Sequence, residues 1–295
     1  MSGFLQFVPS QAPEAESGEV PVATPFVKVE PTPEMSETER ELVKRLRTGR
    51  AALPVLPQVA ESALRLANDP DARINDLAEL VDTDPPIAAR FLSVANSVAY
   101  WRGLLTSSTQ SAIVRLGLAN TRDLLFQVVY AASSGGLKRY QIQVQRSFKR
   151  SVVAAVAART AASELGIETD YDYMSGLLHD IGEARIYRIL DGLPKVENPK
   201  LAKELVQRYH CAAGAEVAMA WKLPTEIVDA CAAHHDPSAA GAPHVRLVMI
   251  ADAVVDAIEA GRTADLSRFE GLLVDVGTAR KIIDLTKKAS EVSAR

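Results

Sequence analysis

Apolar residues recur every three to four positions along most of the chain, and strict alternation of apolar and polar residues is almost absent. An α-helix returns every third or fourth side chain to the same face, so this spacing predicts a series of amphipathic helices. Two helix starts are visible in the sequence. Ser36 and Glu39 have the spacing of a capping box, and Asp84 followed by Pro85 is typical of an N-cap and a first turn. The chain is therefore expected to be all-α.

Breaks in this pattern divide the chain into four segments. The clearest internal break is the Ser-Ser-Gly-Gly run that begins at Ser133. The pattern predicts a two-lobed helical bundle made of a disordered, acidic and proline-rich tail (1–38), an N-terminal helical lobe (39–136), a second helical lobe (137–260) and a C-terminal helical extension (261–295). The tail has too little apolar surface to offset the entropy that ordering would cost. A linker or docking role for the tail is the alternative.

Composition and charge narrow the class of protein. Apolar residues make up 47% of the chain and aromatic residues 5%, which favours helices packed through small side chains. The formal charge is −4, and a field of that sign repels nucleic acid. Cys211 and Cys231 have neither zinc-finger nor disulfide-framework spacing. No signal peptide or bilayer-spanning apolar run is visible, so a cytoplasmic location with reduced thiols is expected.

The candidate chemistry lies in the second half of the chain, which holds all five histidines. His179 and Asp180 are adjacent, and an imidazole with a carboxylate is a common donor set for divalent transition metals. His234 and Asp252 each lie on an apolar helical face, where a carboxylate is costly unless it is paired or ligated. These residues come from three predicted helices, which favours one shared buried polar site. An ion-paired aspartate beside a core histidine is the simpler alternative.

Seven short motifs, taken together and in order, resemble the HDOD family of bacterial regulatory output domains. That family is a branch of the HD superfamily of metal-dependent phosphohydrolases. The motifs are LPVLP at 53–57, AARFLSVANSVAY at 88–100, SAIVRLG at 111–117, GLLHDIG at 176–182, HCAAG at 210–214, WKLP at 221–224 and AAHH at 232–235. The resemblance extends over about residues 50–255. It implies an HD-like helical scaffold that transmits a signal through protein contacts.

The resemblance also implies a set of site residues. The HD superfamily arranges its metal ligands in the order H…HD…D. Carried over by position, the HD pair and the last aspartate of that pattern are His179, Asp180 and Asp252. The auxiliary histidines of two-metal relatives correspond to His210 and His234.

Arg150 stands where the family has its first ligand histidine. Arginine stays protonated and has no lone pair for a metal. Repulsion between its charge and a dication is about 8 kcal/mol at a separation of roughly 4 Å and an effective dielectric constant of about 20. We therefore predict a degenerate site with no metal, no other cofactor and no catalysis, in which Arg150 pairs with Asp180. The predicted pocket comprises Arg150, His179, Asp180, His210, His234 and Asp252.

A second candidate surface is basic. No aspartate or glutamate occurs between Leu124 and Ser163, and several cations lie in this stretch. The candidate contact residues are Lys138, Arg139, Arg146 and Lys149. This pattern predicts a surface for an anionic partner, with a solvated helix flank as the alternative.

The sequence as a whole predicts a non-catalytic HDOD module that acts through protein–protein contacts in bacterial signal transduction. Its expected partners are proteins of a signalling pathway, and neither a membrane nor nucleic acid is expected. One alternative is a metal-dependent phosphohydrolase of nucleotides or cyclic dinucleotides, in which an ion activates water. The other alternative is a sensor that binds a nucleotide, or another small anionic ligand, in the degenerate pocket without hydrolysing it.

Overall fold

The computed structural model describes residues 32, 34–48, 62, 73–133, 135–196, 198–261 and 264–293. These residues form helices and connecting turns with no β-strand among them, which confirms the predicted all-α class. Most of the predicted tail and the motif at 53–57 lie outside the described residues. Within the described part of the chain, no helix combines the length and the apolar character that crossing a membrane requires.

The α-helices of the described residues are α1 (Glu37–Thr48), α2 (Ile74–Asp82), α3 (Pro85–Ala95), α4 (Thr109–Leu116), α5 (Leu118–Ser133), α6 (Gln141–Leu165), α7 (Asp172–Leu178), α8 (Ile181–Asp191), α9 (Pro199–Ala220), α10 (Thr225–Ala233), α11 (Pro243–Ala260), α12 (Ser267–Glu270) and α13 (Val276–Ser293). Short 3-10 helices lie at Val98–Tyr100 and Pro237–Gly241.

Both helix starts that the sequence predicts are present. The Glu39 N–H donates to Ser36 Oγ at 3.1 Å, immediately before the first turn of α1. The Ile87 N–H donates to the carboxylate of Asp84 at 3.2 Å, and Pro85 occupies the first turn of α3. These bonds satisfy backbone donors that have no partner inside the helix. Both predicted N-caps are therefore confirmed, while the carboxylate of Glu39 accepts from Tyr209 Oη at 2.8 Å.

Apolar packing joins the two predicted lobes. The largest buried cluster runs from α2–α5 into α7–α10, so that Phe91 and Leu125 share one core with Leu177 and Ile227. A second cluster fills the space between α6, α11 and α13, and a third joins α1, α8 and α9. The core is thus continuous across the Ser-Ser-Gly-Gly break. The segment boundaries drawn from the sequence stay predictions.

Close helix contacts bring the candidate site together. A Cβ atom on Gly182, in the first turn of α8, would lie 1.9 Å from the carbonyl oxygen of His210 on α9. A Cβ atom on Gly176 in α7 would lie 2.6 Å from the carbonyl oxygen of Ala154 on α6. Only glycine allows backbones to approach so closely. The α7–α8 junction is consequently held against α6 on one side and α9 on the other.

Candidate functional site

Three imidazoles surround one carboxylate at the α7–α8 junction. His179 and Asp180 form this junction, His210 lies on α9, and His234 follows the last residue of α10. The Oδ2 atom of Asp180 lies 3.1 Å from Nε2 of His179. Its Oδ1 atom lies 3.5 Å from Nε2 of His210 and 3.3 Å from Nε2 of His234. The structure thus brings together four of the six residues of the predicted pocket.

Backbone carbonyls fix the orientation of all three rings. The Nδ1 atoms of His179, His210 and His234 lie 2.8, 3.0 and 3.0 Å from carbonyl oxygens three or four residues earlier in the chain. Since a carbonyl can only accept, each Nδ1 donates its proton, and a neutral ring keeps its lone pair on Nε2. The Nε2 atom of each ring therefore faces Asp180: it donates a proton to the carboxylate when the ring is charged, and its lone pair is free for a metal ion when the ring is neutral. Metal-binding histidines commonly have this outer hydrogen bond.

Cys211 adds a thiol to the same place. Its Sγ atom lies 3.4 Å from Nε2 of His210 and 4.0 Å from Nε2 of His234. Burial opposes ionisation of this thiol, but the charge of His234 and a hydrogen bond with His210 outweigh it and lower the pKa of Cys211 to about 6. Burial likewise opposes the charged form of His210, but contact with the thiolate raises its pKa to about 9. Thiolate and imidazolium therefore stabilise each other.

The other titratable side chains around His210 and Cys211 differ in their protonation. Burial opposes ionisation of Asp180, but the charges and hydrogen bonds of His179 and His234 hold its pKa well below the usual range. Burial and the charge of His234 lower the pKa of His235 to about 3, so its ring is neutral near pH 7. Burial and the charge of Asp180 raise the pKa of Glu183. We call His179, Asp180, His210, Cys211, His234 and His235 the histidine cluster.

Cys211 and His235 are absent from the predicted pocket. Each directly follows a histidine of that pocket, in the motifs HCAAG and AAHH. Adjacency alone is a weak signal, because neighbouring side chains on a helix diverge by about 100°. His235 is able to approach because α10 ends at Ala233. Its ring centroid lies 4.2 Å from that of His234.

Arg150 and Asp252 lie in a separate group of charges. The Nη2 atom of Arg150 lies 2.8 Å from Oδ1 of Asp256 and 3.5 Å from Oδ1 of Asp252. Its Nη1 atom pairs with Glu259. The predicted ion pair between Arg150 and Asp180 is therefore wrong, and the predicted six-residue pocket consists of two parts.

The packing of α6 along α11 explains this result. Asp252, Asp256 and Glu259 follow one another at intervals of four and three residues, so they form an acidic edge on α11 that faces α6. Arg268 of α12 completes the group, with Nη2 3.7 Å from Oδ2 of Asp252 and Nη1 2.6 Å from Oδ2 of Asp256. We call these residues, together with Arg150, the ionic cluster. The spacing of the three acids could have revealed them in the sequence.

The H…HD…D ligand set does not fit a divalent ion in this chain. Arg150 occupies the first ligand position and has no lone pair to donate. The carboxylate of Asp252 is engaged by the guanidinium groups of Arg150 and Arg268. A cation at that position would face two fixed positive charges.

The predicted basic surface is partly engaged within the fold. The backbone N–H groups of Lys138 and Arg139 donate to the carboxylate of Asp191 at 3.0 and 2.6 Å. Arg139 also donates from Nη2 to the Asp191 carbonyl at 2.7 Å. Arg146 lies 3.4 Å from Glu259, whereas Lys149 is exposed on α6. The role of this basic surface in binding an anionic partner stays a prediction.

Comparison with known proteins gives a family match over most of the described chain. The HDOD domain family matches residues 53–237. Ribonuclease Y from Lactobacillus acidophilus is 27% identical over 185 residues, which cover 63% of this chain and 30% of that protein. The chain spans less than half the length of the first curated relatives that it matches, at 38%, 30% and 26%.

Solved structures show the same architecture. A provisionally assigned metal-dependent phosphohydrolase from Shewanella amazonensis SB2B superposes with a TM-score of 0.65 at 21% identity, covering 85% of this chain and 100% of that one. A provisionally assigned signal transduction protein from Marinobacter aquaeolei VT8 gives 0.57 at 21% identity, covering 81% and 58%. At these identities the likeness shows the fold alone.

Proposed function

The chain belongs to the HDOD domain family, and from this premise we propose that it is a non-catalytic regulatory module that acts in signal transduction through protein contacts. The observation that carries the proposal is the ion pair between Arg150 and Asp252. In the H…HD…D pattern these two positions supply ligands to the metal. Here position 150 supplies a guanidinium group that has no lone pair, and this group engages the carboxylate of Asp252, so the two positions no longer form a pair of metal ligands.

The HD-like helical scaffold is present although its ligand set is incomplete, which supports a role of the domain in presenting surfaces to a partner. The close approaches at Gly176 and Gly182 hold the HD helices together through backbone packing. Such a scaffold offers rigid helical surfaces to a partner protein. Lys149 is exposed beside the ionic cluster, and a partner with an acidic surface would complement it.

A hydrolysis assay tests the absence of catalysis. The full chain is incubated with Mn²⁺ or Mg²⁺ and either bis(p-nitrophenyl) phosphate or a cyclic dinucleotide. Product should form at the rate of the protein-free blank. An Asp180→Asn variant is the matched control, because it removes the carboxylate that the imidazoles surround. Metal-dependent turnover by the parent that this variant lacks would contradict the proposal.

The phosphohydrolase alternative keeps one observation in its favour. The Nε2 atoms of His210 and His234 lie within 3.5 Å of Asp180, outside the ionic cluster. Such donors can hold a metal ion. The assay above separates the two functions directly, since only the alternative requires turnover.

Protein contacts need a separate measurement. Three baits are compared in cell extract with chemical cross-linking. They are the full chain, a version that lacks residues 1–38, and a Lys149→Glu variant. We expect a partner that the parent retains in proportion to the bait, and that the glutamate variant retains less well. If the parent and the Lys149→Glu variant retain the partner equally, Lys149 does not take part in the contact. Retention of no protein would argue against signalling through protein contacts.

A further inference from the structure

The histidine cluster contains a thiol that the H…HD…D ligand pattern does not include. His210, Cys211, His234 and His235 each offer one donor atom, and these four atoms all lie within 4.8 Å of one another. Three of the four donor atoms are imidazole nitrogens, and the fourth is the sulfur of Cys211. Of these residues His210 and His234 are buried, while His235 is exposed.

Two of the distances between these donors are close to the edges of a tetrahedral zinc site, and a third is longer. Zinc bonds of about 2.0–2.1 Å to nitrogen and about 2.3 Å to sulfur give tetrahedral edges of about 3.3–3.4 Å between nitrogens and about 3.5–3.6 Å between nitrogen and sulfur. The two Nε2 atoms of His210 and His234 are 3.3 Å apart. The Sγ atom of Cys211 lies 3.4 Å from the first and 4.0 Å from the second. His235 supplies the fourth donor from within 4.8 Å of these three atoms, and shifts of the side chains would complete the tetrahedron.

We propose that His210, Cys211, His234 and His235 form a zinc site of one thiolate and three imidazoles. Thiolate with imidazole is a donor set that suits zinc, whereas carboxylate-rich sets suit harder ions. The carbonyl bonds to Nδ1 of His210 and His234 orient two of the ligands. The carboxylate of Asp180 balances the remaining positive charge from 3.3 and 3.5 Å away from the two Nε2 atoms.

This site shares His210 and His234 with the auxiliary histidines of two-metal HD relatives, but it adds Cys211 and His235 as ligands and differs in consequence. It uses neither position 150 nor Asp252, which the ionic cluster occupies. Four protein ligands close the coordination shell, and closed zinc sites are structural, while catalytic ones keep a position open for water. The inference goes beyond the proposed function, because zinc binding by a closed site requires no partner and no turnover.

Cobalt spectroscopy tests the proposal. The full chain is stripped of metal with a chelator and titrated with Co²⁺ alone. We expect one ion per chain, intense visible bands of tetrahedral cobalt and a near-ultraviolet band from thiolate-to-cobalt charge transfer. Cys211→Ser should lose the charge-transfer band and bind Co²⁺ more than about 100-fold more weakly, since loss of an outer-shell partner alone costs about 10–100-fold.

Two further variants make the result specific. Cys231→Ser is the matched control, because Cys231 is buried and donates its thiol to the Leu178 carbonyl at 3.3 Å. It should retain both spectral features, as should Asp252→Asn. Circular dichroism shows that each variant is folded. The proposal is overturned if the parent shows no charge-transfer band, if Cys211→Ser has the parent's spectrum, or if Asp252→Asn abolishes binding while Cys211→Ser does not.

Discussion

The contribution of Arg150 to stability depends on the carboxylates that its side chain contacts. The sequence predicts its charge and its effect on metal binding, but not its partners, because those depend on how α6 and α11 pack. Its side chain is 25% exposed and contacts three carboxylates. Asp252, the most buried of the three, is 13% exposed. The cost of removing Arg150 should therefore exceed that of an ordinary surface ion pair.

We expect Arg150→Ala to lower the free energy of unfolding by about 1–3 kcal/mol, since it leaves half-buried carboxylates with fewer charged hydrogen bonds. Arg146→Ala is the matched control on the same helix. Arg146 is 72% exposed and makes one ion pair at 3.4 Å, so its loss should change stability by about 0.5 kcal/mol or less. Urea denaturation measures both values. Equal losses in the two variants would show that the ionic cluster adds nothing beyond surface pairs.

Asp256 gives the ionic cluster a dependence on pH. Burial opposes its ionisation, but hydrogen bonds from Arg150 and Arg268 outweigh it and lower the pKa. Because the folded pKa lies below the unfolded value of about 4, the ionised group stabilises the fold above that pH. This contribution is lost as pH falls through the folded pKa. Asp256→Asn should therefore be less stable than the parent near pH 7, and the difference should shrink below about pH 4.

Urea unfolding at several pH values checks this expectation. Asp284→Asn, on an exposed position of α13, controls for the loss of one negative charge. It should lie close to the parent throughout the range. A gap between Asp256→Asn and the parent that widens in acid would reverse the sign and rule out the assigned cause.

At the scale of helices, the periodicity and capping residues predict the elements, while their contacts determine the site. The starts of α1 and α3 follow from local hydrogen bonds, so the sequence contains all that is needed to predict them. The approach of His235 to His234 depends on where α10 ends. The separation of Asp252 from Asp180 depends on packing between helices. Neither has a local signal, which is why the predicted pocket joined two clusters into one.

Close packing between α8 and α9 gives a prediction at this scale. A Cβ atom at position 182 would lie 1.9 Å from the carbonyl oxygen of His210. Backbone must move to accommodate it, so Gly182→Ala should lower the free energy of unfolding by at least about 3 kcal/mol. Gly241→Ala is the control, since nothing lies within 4 Å of its added Cβ. Thermal denaturation compares the two variants, and a Gly182→Ala protein as stable as the control would contradict the helix packing.

At the scale of the whole molecule, the two predicted lobes are joined by ion pairs, a ring contact and a shared apolar core. Arg159 on α6 pairs with Asp123 of α5 and lies 3.6 Å from Asp172 of α7. The rings of Tyr130 and Phe148 meet edge to face at 5.2 Å, one on α5 and the other on α6. Together with the shared apolar core, these contacts favour one cooperative unit over two independently stable lobes.

The two tryptophans allow this cooperativity to be measured. Trp101 precedes the Ser-Ser-Gly-Gly break and Trp221 follows it. The Trp101→Phe variant therefore keeps a fluorescent reporter in the second predicted lobe, and the Trp221→Phe variant keeps one in the N-terminal lobe. Because the core is continuous, fluorescence of either variant and circular dichroism should give coincident urea midpoints. Arg159→Ala, which removes the nearer of the two arginines that pair with the buried Asp123, should lower both midpoints together. Midpoints that separate, or an arginine variant that shifts only one of them, would mean that the lobes unfold independently.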